Sequence, residues 1–498
     1  MALSPAVLAA ERARRARSFA GIITLLAGIA FIVDAVWLIM ASSFFLIQLP
    51  ILMGCLYLVM FFGLGYVLNP PAWTGAALMA IVYFGQDFTL RQGLVSDGGM
   101  DLQTVVKGML AVLLFAYGLF NGLSRTWRHP VLMVWFAYAA FAAMSASYSS
   151  AKAIGIGSGI ALLAISFGSA RAATVGDRDF YAYWRGLYTA ACVMCVISLI
   201  LLVALPMMAR DLADPGAFRL RGLTGSANSI GPILTVGLII GLSMQHLARD
   251  SAWRWWHRFM MLCLLVGLVL TNSRSSMLGL AAGVAAEAVI ARRHTVLTAL
   301  VAMLGAAVGA VVILVPSVLK GFVTVFTELF SRSGQAQEIT SFTGRSDVWK
   351  ACLKLIQEQP WFGYGLGSVR VEIPKVFWDA WGNTTATAHN FVLESMISVG
   401  LLGTSLLVIV LVMTTLGLVR YVSAVQSPFA DETQREWTRC ALRCMLMFWV
   451  HSMVERAFAG TAAPSTVVLG VCVATYAFMA LKLKDERHQR MIRLRSLV

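Results

Sequence analysis

Between Ser18 and Lys482 the chain carries one apolar run after another, most of them long enough to cross a bilayer. They occupy 18–41, 44–67, 72–88, 103–122, 130–148, 152–170, 186–208, 228–248, 258–272, 276–291, 295–316, 390–419, 439–458 and 464–482. That makes about fourteen helical spans. Such a chain has few options, because in hydrocarbon every backbone N–H and C=O must be bonded within its own segment or barrel. The expected fold class is all-α, a polytopic transmembrane helical bundle. Composition agrees: hydrophobic residues make up 59% of the chain and charged residues 13%, with a mean hydropathy of +0.77. A soluble surface needs about a quarter of its residues charged.

Orientation follows from the basic residues. Arg12, Arg14, Arg15 and Arg17 precede a first run that is too long for a signal-peptide core and lacks a small-residue cleavage site. It is expected to remain as an uncleaved span with the N-terminus inside. Alternation then places Arg125 and Arg128, Arg171, Arg178 and Arg185, Arg249, Arg254 and Arg258, and Arg292 and Arg293 in the cytoplasm. Arg420, Arg435 and Arg439 join them, as does the C-terminal tail from Lys484 to Arg495. Both termini are cytoplasmic in this scheme, and the expected location is the bacterial inner membrane. The net charge of +15 is largely that cytoplasmic excess, so no nucleic-acid partner is implied. The parity leaves 317–388 as one long periplasmic loop containing short amphipathic helices. We divide the chain into an N-terminal transmembrane region (1–208), a region carrying the chemistry (209–419, including the loop 317–388), and a C-terminal transmembrane pair with its tail (420–498).

Eight cysteines occur, and all but Cys352 sit in or beside apolar runs, where thiols behave as small hydrophobes. Cys192 and Cys195 form a CxxC inside a span with no histidine nearby, which argues against a metal or redox role. No disulfide framework is implied.

The cations that break the positive-inside pattern mark the outer face. They are Arg219, Arg221, Arg274, Arg345, Arg370, Lys375 and Arg456, with Lys107 and Lys152 at outer span ends. Lys152 or Lys375 alone reads as interfacial snorkelling. The whole set suits a polyanionic ligand such as a diphosphate.

Three stretches in and around the loop carry candidate chemistry. In the first, Thr343 is a plausible N-cap, and Val348, Trp349, Cys352, Leu353 and Ile356 recur at helical spacing until Pro360. That predicts a short amphipathic helix on the outer leaflet, with Arg345 in its first turn. A guanidinium at a helix N-terminus is a phosphate site, or else it anchors the helix at the interface. In the second, Gly363, Gly365 and Gly367 follow without a preceding strand, so they suggest a tight turn where backbone approaches substrate or membrane, not a dinucleotide fingerprint. In the third, His389-Asn390 opens a span, whose N-terminus disfavours imidazolium. Lone histidines are usually structural, but this one stands at the mouth of a span beside a cationic loop. Elsewhere, His451, Glu455 and Arg456 are expected in the outer half of the span 439–458, with Glu455 one turn from His451.

These residues resemble the signature of O-antigen ligases and related polymerases. Thr343-Gly344-Arg345 with Trp349, Pro360 with Gly363 and Gly365, and His389-Asn390 with Leu393 and Gly400 match TGR-x-x-x-W, P-x-x-G-x-G and HN-x-x-L…G. The loop from Arg219 through Gly222 to Asn228 is similar to that family's R-x-x-G…PN element, with Ala227 where proline is usual, and Ser273-Arg274 is similar to its SR element. The resemblance implies a membrane glycosyltransferase acting at the periplasmic face on undecaprenyl-diphosphate-linked glycan. The acceptor would be another lipid-linked repeat in a polymerase, or lipid A-core in a ligase. The expected span count favours a polymerase of O-antigen or exopolysaccharide, since ligases tend to have fewer spans. By the resemblance Arg219 and Arg345 hold the diphosphate and His389 assists the acceptor. Arg221, Arg274, Asn390, Thr343, Gly344, His451, Glu455 and Arg456 complete the expected substrate-binding set. The partners implied are the lipid-linked donor, the glycan or lipid A-core acceptor, the bilayer, and other polysaccharide-assembly proteins.

A lipid-glycan flippase would also show many spans and buried charges, but such transporters are built from related halves, and no internal repeat is visible here. A structural or sensor protein would leave the outer cations without a purpose. No cofactor or metal is expected, because the outer face shows no cluster of carboxylates or histidines at ligand spacing; Glu372 and Asp379 are isolated. Glycan transfer by purified protein is therefore expected to continue in EDTA, and an EDTA loss reversed by magnesium or manganese would contradict this.

Overall fold

A computed structural model describes residues 74–89, 102–211, 218–291, 345–378, 384–423 and 431–495. The predicted runs at 18–41, 44–67 and 295–316, and the loop from 317 to 344 with Thr343 and Gly344, lie outside the described residues. Within them the chain is helical, with no strand and two isolated bridges, Phe88 to Thr224 and Arg210 to Leu220. In chain order the principal helices are α1 (Thr74–Asp87), α2 (Leu102–Gly122), α3 (Pro130–Ser145), α4 (Lys152–Ala172) and α5 (Asp177–Ala204). Then come α6 (Ala227–Leu247), α7 (Ser251–Thr271), α8 (Arg274–Ile290), α9 (Arg345–Glu358) and α10 (Val369–Val376). The last are α11 (Phe391–Ser423), α12 (Glu432–His451) and α13 (Pro464–Arg495).

Seven helical stretches among the described residues are long and apolar enough to cross a membrane: Lys107–Arg128, Pro130–Tyr148, Lys152–Ala172, Asp177–Ala204, Ala227–Leu247, Phe391–Ser423 and Pro464–Glu486. This is a multi-pass membrane protein. Neighbours pack as α2 on α4, α3 on α4 and α11, α1 on α5, α6 on α7, and α8 on α12. α13 runs through the middle: every residue from Thr466 to Ala474 except Gly470 is a buried side chain, and Gly470 itself is buried. A helix that is apolar all round is either a lipid-facing span or a buried one, and the enclosure of Thr466–Ala474 makes this one a central, buried span. Trp184 of α5 ties this centre together, donating its Nε1–H to Thr475 Oγ1 at 3.2 Å and stacking on Trp437 at 6.0 Å.

α12 departs from its predicted position. It starts at Glu432, not near 439, and stops at His451, not 458. The early turns were invisible to hydropathy because their charges are neutralised inside the bundle. Arg443 bonds Glu287 of α8 at 3.0 Å and Glu436 at 2.9 Å, and Arg439 approaches the same two carboxylates at 3.6 and 3.8 Å. The helix ends where it does because the next carbonyls serve other segments. Ser452 O accepts from Phe391 N, Met453 O from Asn390 Nδ2, and Val454 O from Arg345 Nη1.

The glycine-rich turn also differs from expectation. The close approach its glycines permit is to the protein's own backbone. α11 is broken at Gly400, which has φ 63°. The turn caps both sides of the break: Tyr364 N–H donates to Ile397 O at 2.7 Å, while Leu401 N–H donates to Pro360 O at 2.8 Å. A Cβ on Gly363 would lie 2.5 Å from Ile397 O, and one on Gly400 would lie 2.3 Å from the Trp361 carbonyl carbon. On its other side the turn is seated against α3 and the start of α4, where Ser149 Oγ donates to Leu366 O at 2.8 Å and Leu366 N–H donates to Ser145 Oγ at 3.1 Å. α9 docks on α11 through Val348, Cys352 and Leu355, all buried, whereas Leu353, expected on the apolar face, is exposed.

Gly400→Ala combines backbone strain of about 1–3 kcal/mol, from a φ/ψ combination open essentially only to glycine, with a backbone clash. It is expected to lower the melting temperature in detergent by several degrees. Gly157→Ala, with nothing within 4 Å of the added carbon, should leave it unchanged or raised. Equal melting of both variants would show that the turn and the kink are not coupled.

Candidate functional site

The site forms where the starts of α9 and α11 meet the turn after α12 and the loop before α6. Asn390 is the N-cap of α11: its Oδ1 accepts from Val392 N at 3.0 Å and Leu393 N at 3.2 Å, and its Nδ2 donates to Met453 O at 2.9 Å. The residue before it is locked from both sides. Ala388 N–H donates to Glu394 Oε2 at 2.7 Å, and Ala388 O accepts from Trp349 Nε1 at 2.9 Å. Trp349 lies four residues after Arg345, on the same face of α9, so one helix presents both the guanidinium and the clamp. Held between these fixed neighbours, His389 adopts φ 49°, a left-handed conformation that histidine tolerates better than most residues.

Glu455 is the hub. Its Oε1 accepts from Arg345 Nη2 at 2.7 Å and Asn228 Nδ2 at 2.9 Å, and its Oε2 lies 3.0 Å from His389 Nδ1. Arg345 also donates through Nη1 to the Val454 carbonyl. Asn228 passes the connection on: its Oδ1 accepts from Arg219 Nη2 at 2.5 Å, and Arg219 Nε donates to Thr271 O at 3.2 Å at the end of α7. Glu455 is only 6% exposed and Arg219 only 5%. Burial alone would raise the Glu455 carboxyl above its ordinary range. The hydrogen bond from His389 and the guanidinium of Arg345 are among the interactions that outweigh burial and hold it at about 2.

This network forms one wall of a cavity of about 280 Å³, lined by Arg219, Asn228, His389, His451, Glu455 and Arg456 among others. Five of the expected residues therefore line one space, and Arg345 joins it through Glu455. Arg221 does not line it: its Nε donates to Met208 O at 3.1 Å and supports the loop. Arg274 opens α8 and also stands outside the lining, and Asn390 acts as a cap. Glu455 is bonded to His389, not to His451 one turn back, because the helix that would have stacked that pair has ended.

Two acidic residues were missed. Asp87, at the end of α1, and Asp211 both line the cavity. Asp211 Oδ2 accepts from Ala227 N–H at 2.9 Å, a bond that proline at this position could not make. Asp87 closes an apolar run, and that position alone signals nothing. Among the described residues no group of three or more His, Cys, Asp or Glu is arranged to hold a metal ion. Glu372 is paired with Lys375 at 2.9 Å, and Asp379 lies outside the described residues.

Residues 259–408 match the O-antigen ligase family model. The match supports the resemblance to the O-antigen ligase and polymerase-like superfamily over this stretch, about a third of the chain. No curated protein matches the chain. The O-antigen ligase domain contains Arg345, Trp349 and His389, whereas Arg219, Asn228 and Glu455 lie outside it and are brought in by the fold.

Removing the buried hub leaves a half-buried guanidinium, an amide and an imidazole without this acceptor. Glu455→Ala is expected to cost about 3–5 kcal/mol of stability, as broken buried pairs do. Glu455→Gln, which keeps an acceptor for Arg345, should cost clearly less. Unchanged melting of the alanine variant in detergent would show that the hub does not hold these segments together.

Proposed function

We propose that this chain is an inner-membrane glycosyltransferase that transfers undecaprenyl-diphosphate-linked glycan at the periplasmic face and polymerises O-antigen or exopolysaccharide repeats. The observation that carries the reading is the Glu455 network, which ties Arg219 and His389 on the wall of one small cavity to Arg345 behind Glu455. In the reaction the acceptor hydroxyl oxygen attacks the anomeric carbon of the donor sugar. The bond from that carbon to the diphosphate oxygen breaks, and its electron pair stays on the leaving diphosphate. Arg219 and Arg345 face the charge that builds up there. Because both are already fixed by protein acceptors, they need little reorganisation as the charge develops. A guanidinium has five N–H donors, and the two bonds named for Arg345 occupy two of them.

His389 takes the acceptor proton in this scheme. With Nδ1–H donating to Glu455, the ring is oriented and Nε2 keeps its lone pair for the incoming proton. The arginines supply the electrostatic stabilisation, so the reaction as proposed is independent of metal. The family description favours a second reading, ligation of the glycan to lipid A-core, which would use the same site with a different acceptor.

Arg219→Ala and Arg345→Ala are expected to abolish transfer while the protein still inserts, and Arg345→Lys should also be poor because an ammonium lacks the guanidinium fork. His389→Ala should lower transfer about a hundredfold with donor binding nearly unchanged. His389→Gln keeps a hydrogen-bonding group but no useful base. Near-normal glycan chain length in both arginine variants would sink the diphosphate assignment, and an active glutamine variant would reduce His389 to a positioning role.

A further inference from the structure

His451 is the last residue of α12 and lines the cavity beside Arg219 and His389, yet it takes no part in the Glu455 network. It is 2% exposed, and neither ring nitrogen has a hydrogen-bond partner. Its surroundings do not supply one: Phe448 meets the ring edge-on at 6.2 Å, and α8 approaches its Cβ at Gly279. Glu455, four residues on, is turned away to Arg345, Asn228 and His389. A buried polar group without a partner costs free energy, and such groups are normally satisfied. Two orphan nitrogens facing a cavity point to a ligand that satisfies them when it is bound.

The chemistry of the imidazole narrows the choice. In its neutral form it offers one donor and one acceptor. A diphosphate presents acceptors only, and the arginines answer those. A sugar hydroxyl both donates and accepts, so it complements the imidazole. The cavity, at about 280 Å³, is near the small end for ligand pockets, which suits a single sugar ring and not an extended glycan. We propose that His451 binds a hydroxyl of the sugar being transferred and positions its anomeric carbon between the diphosphate site and His389. This deepens the proposed function and rests on it.

The test compares wild type with His451→Phe and His451→Gln in detergent, using bare undecaprenyl diphosphate and lipid-linked glycan extracted from the source membranes. Phenylalanine keeps a flat ring of similar size and removes an unsatisfied polar group, so its melting temperature should equal or exceed that of wild type. The phenylalanine variant should bind bare undecaprenyl diphosphate like wild type and the glycan-bearing lipid about tenfold more weakly, the effect of one lost hydrogen bond. Glutamine, with both a donor and an acceptor, should recover most of that loss. Equal binding of the glycan-bearing lipid by wild type and the phenylalanine variant would overturn the inference and leave the proposed function standing. A marked fall in the melting temperature of the phenylalanine variant would overturn it too, by revealing a structural bond to the imidazole. If wild type binds neither lipid, the proposed function fails and this inference fails with it.

Discussion

A carboxylate withdrawn from water at the end of a membrane bundle must be surrounded by donors that cannot move away. Glu455 meets that demand with donors from three separate segments: Arg345 from the start of α9, His389 from the start of α11, and Asn228 from the first turn of α6. Each donor is immobilised by something else. Trp349 holds the backbone before His389, and Asn390 caps the helix after it. Arg219 grips the far side of Asn228. The order of the site is therefore a consequence of one buried charge, and the cavity is the space left where these braced segments do not quite meet.

The same physics operates further along α12 with a different result. Arg443 and Arg439 face Glu287 and Glu436, two cations against two anions, with Ser243 Oγ donating to Glu436 at 3.0 Å. None of these four side chains lines the cavity described, and the network fixes α12 against α8 and α6. At the other end of the helix the Glu455 network includes an imidazole with a second nitrogen and borders open volume. A closed charge network thus sets the register of α12, and an open one bordering the cavity lies just beyond its last residue.

Much of this was legible in the sequence, for reasons that differ between residues. Arg219, Arg345 and His389 were singled out because cations and a histidine at span mouths are costly unless used, and the fold joins them in one network. The glycines were found as a turn but assigned the wrong neighbour. Nothing local says that the backbone Gly363 must approach is Gly400 and Ile397, about forty residues on, because that contact depends on how α11 breaks. Glu455 was noticed and paired wrongly. On an unbroken helix it would stack over His451, and the apolar composition of 439–458 gave no sign of an early end. The end is tertiary in origin, since Phe391, Asn390 and Arg345 claim the carbonyls that another turn of helix would need.

The match to the O-antigen ligase family covers 259–408 and so takes in the histidine and one arginine, but neither the carboxylate that orients them nor the second arginine. Within the motifs the labour divides: Trp349, Gly363, Asn390 and Gly400 shape backbone, while Arg345 and His389 face the reaction in the proposed mechanism. That division explains why the loop before α6 tolerates Ala227 where related sequences are expected to carry proline. Either residue fits the first turn of a helix. Proline would preset the backbone there, whereas alanine reaches a similar end by donating its N–H to Asp211, itself on the cavity wall. The departure therefore leaves Asn228 in place to bridge Arg219 and Glu455, and the local change is confined to what holds Asp211.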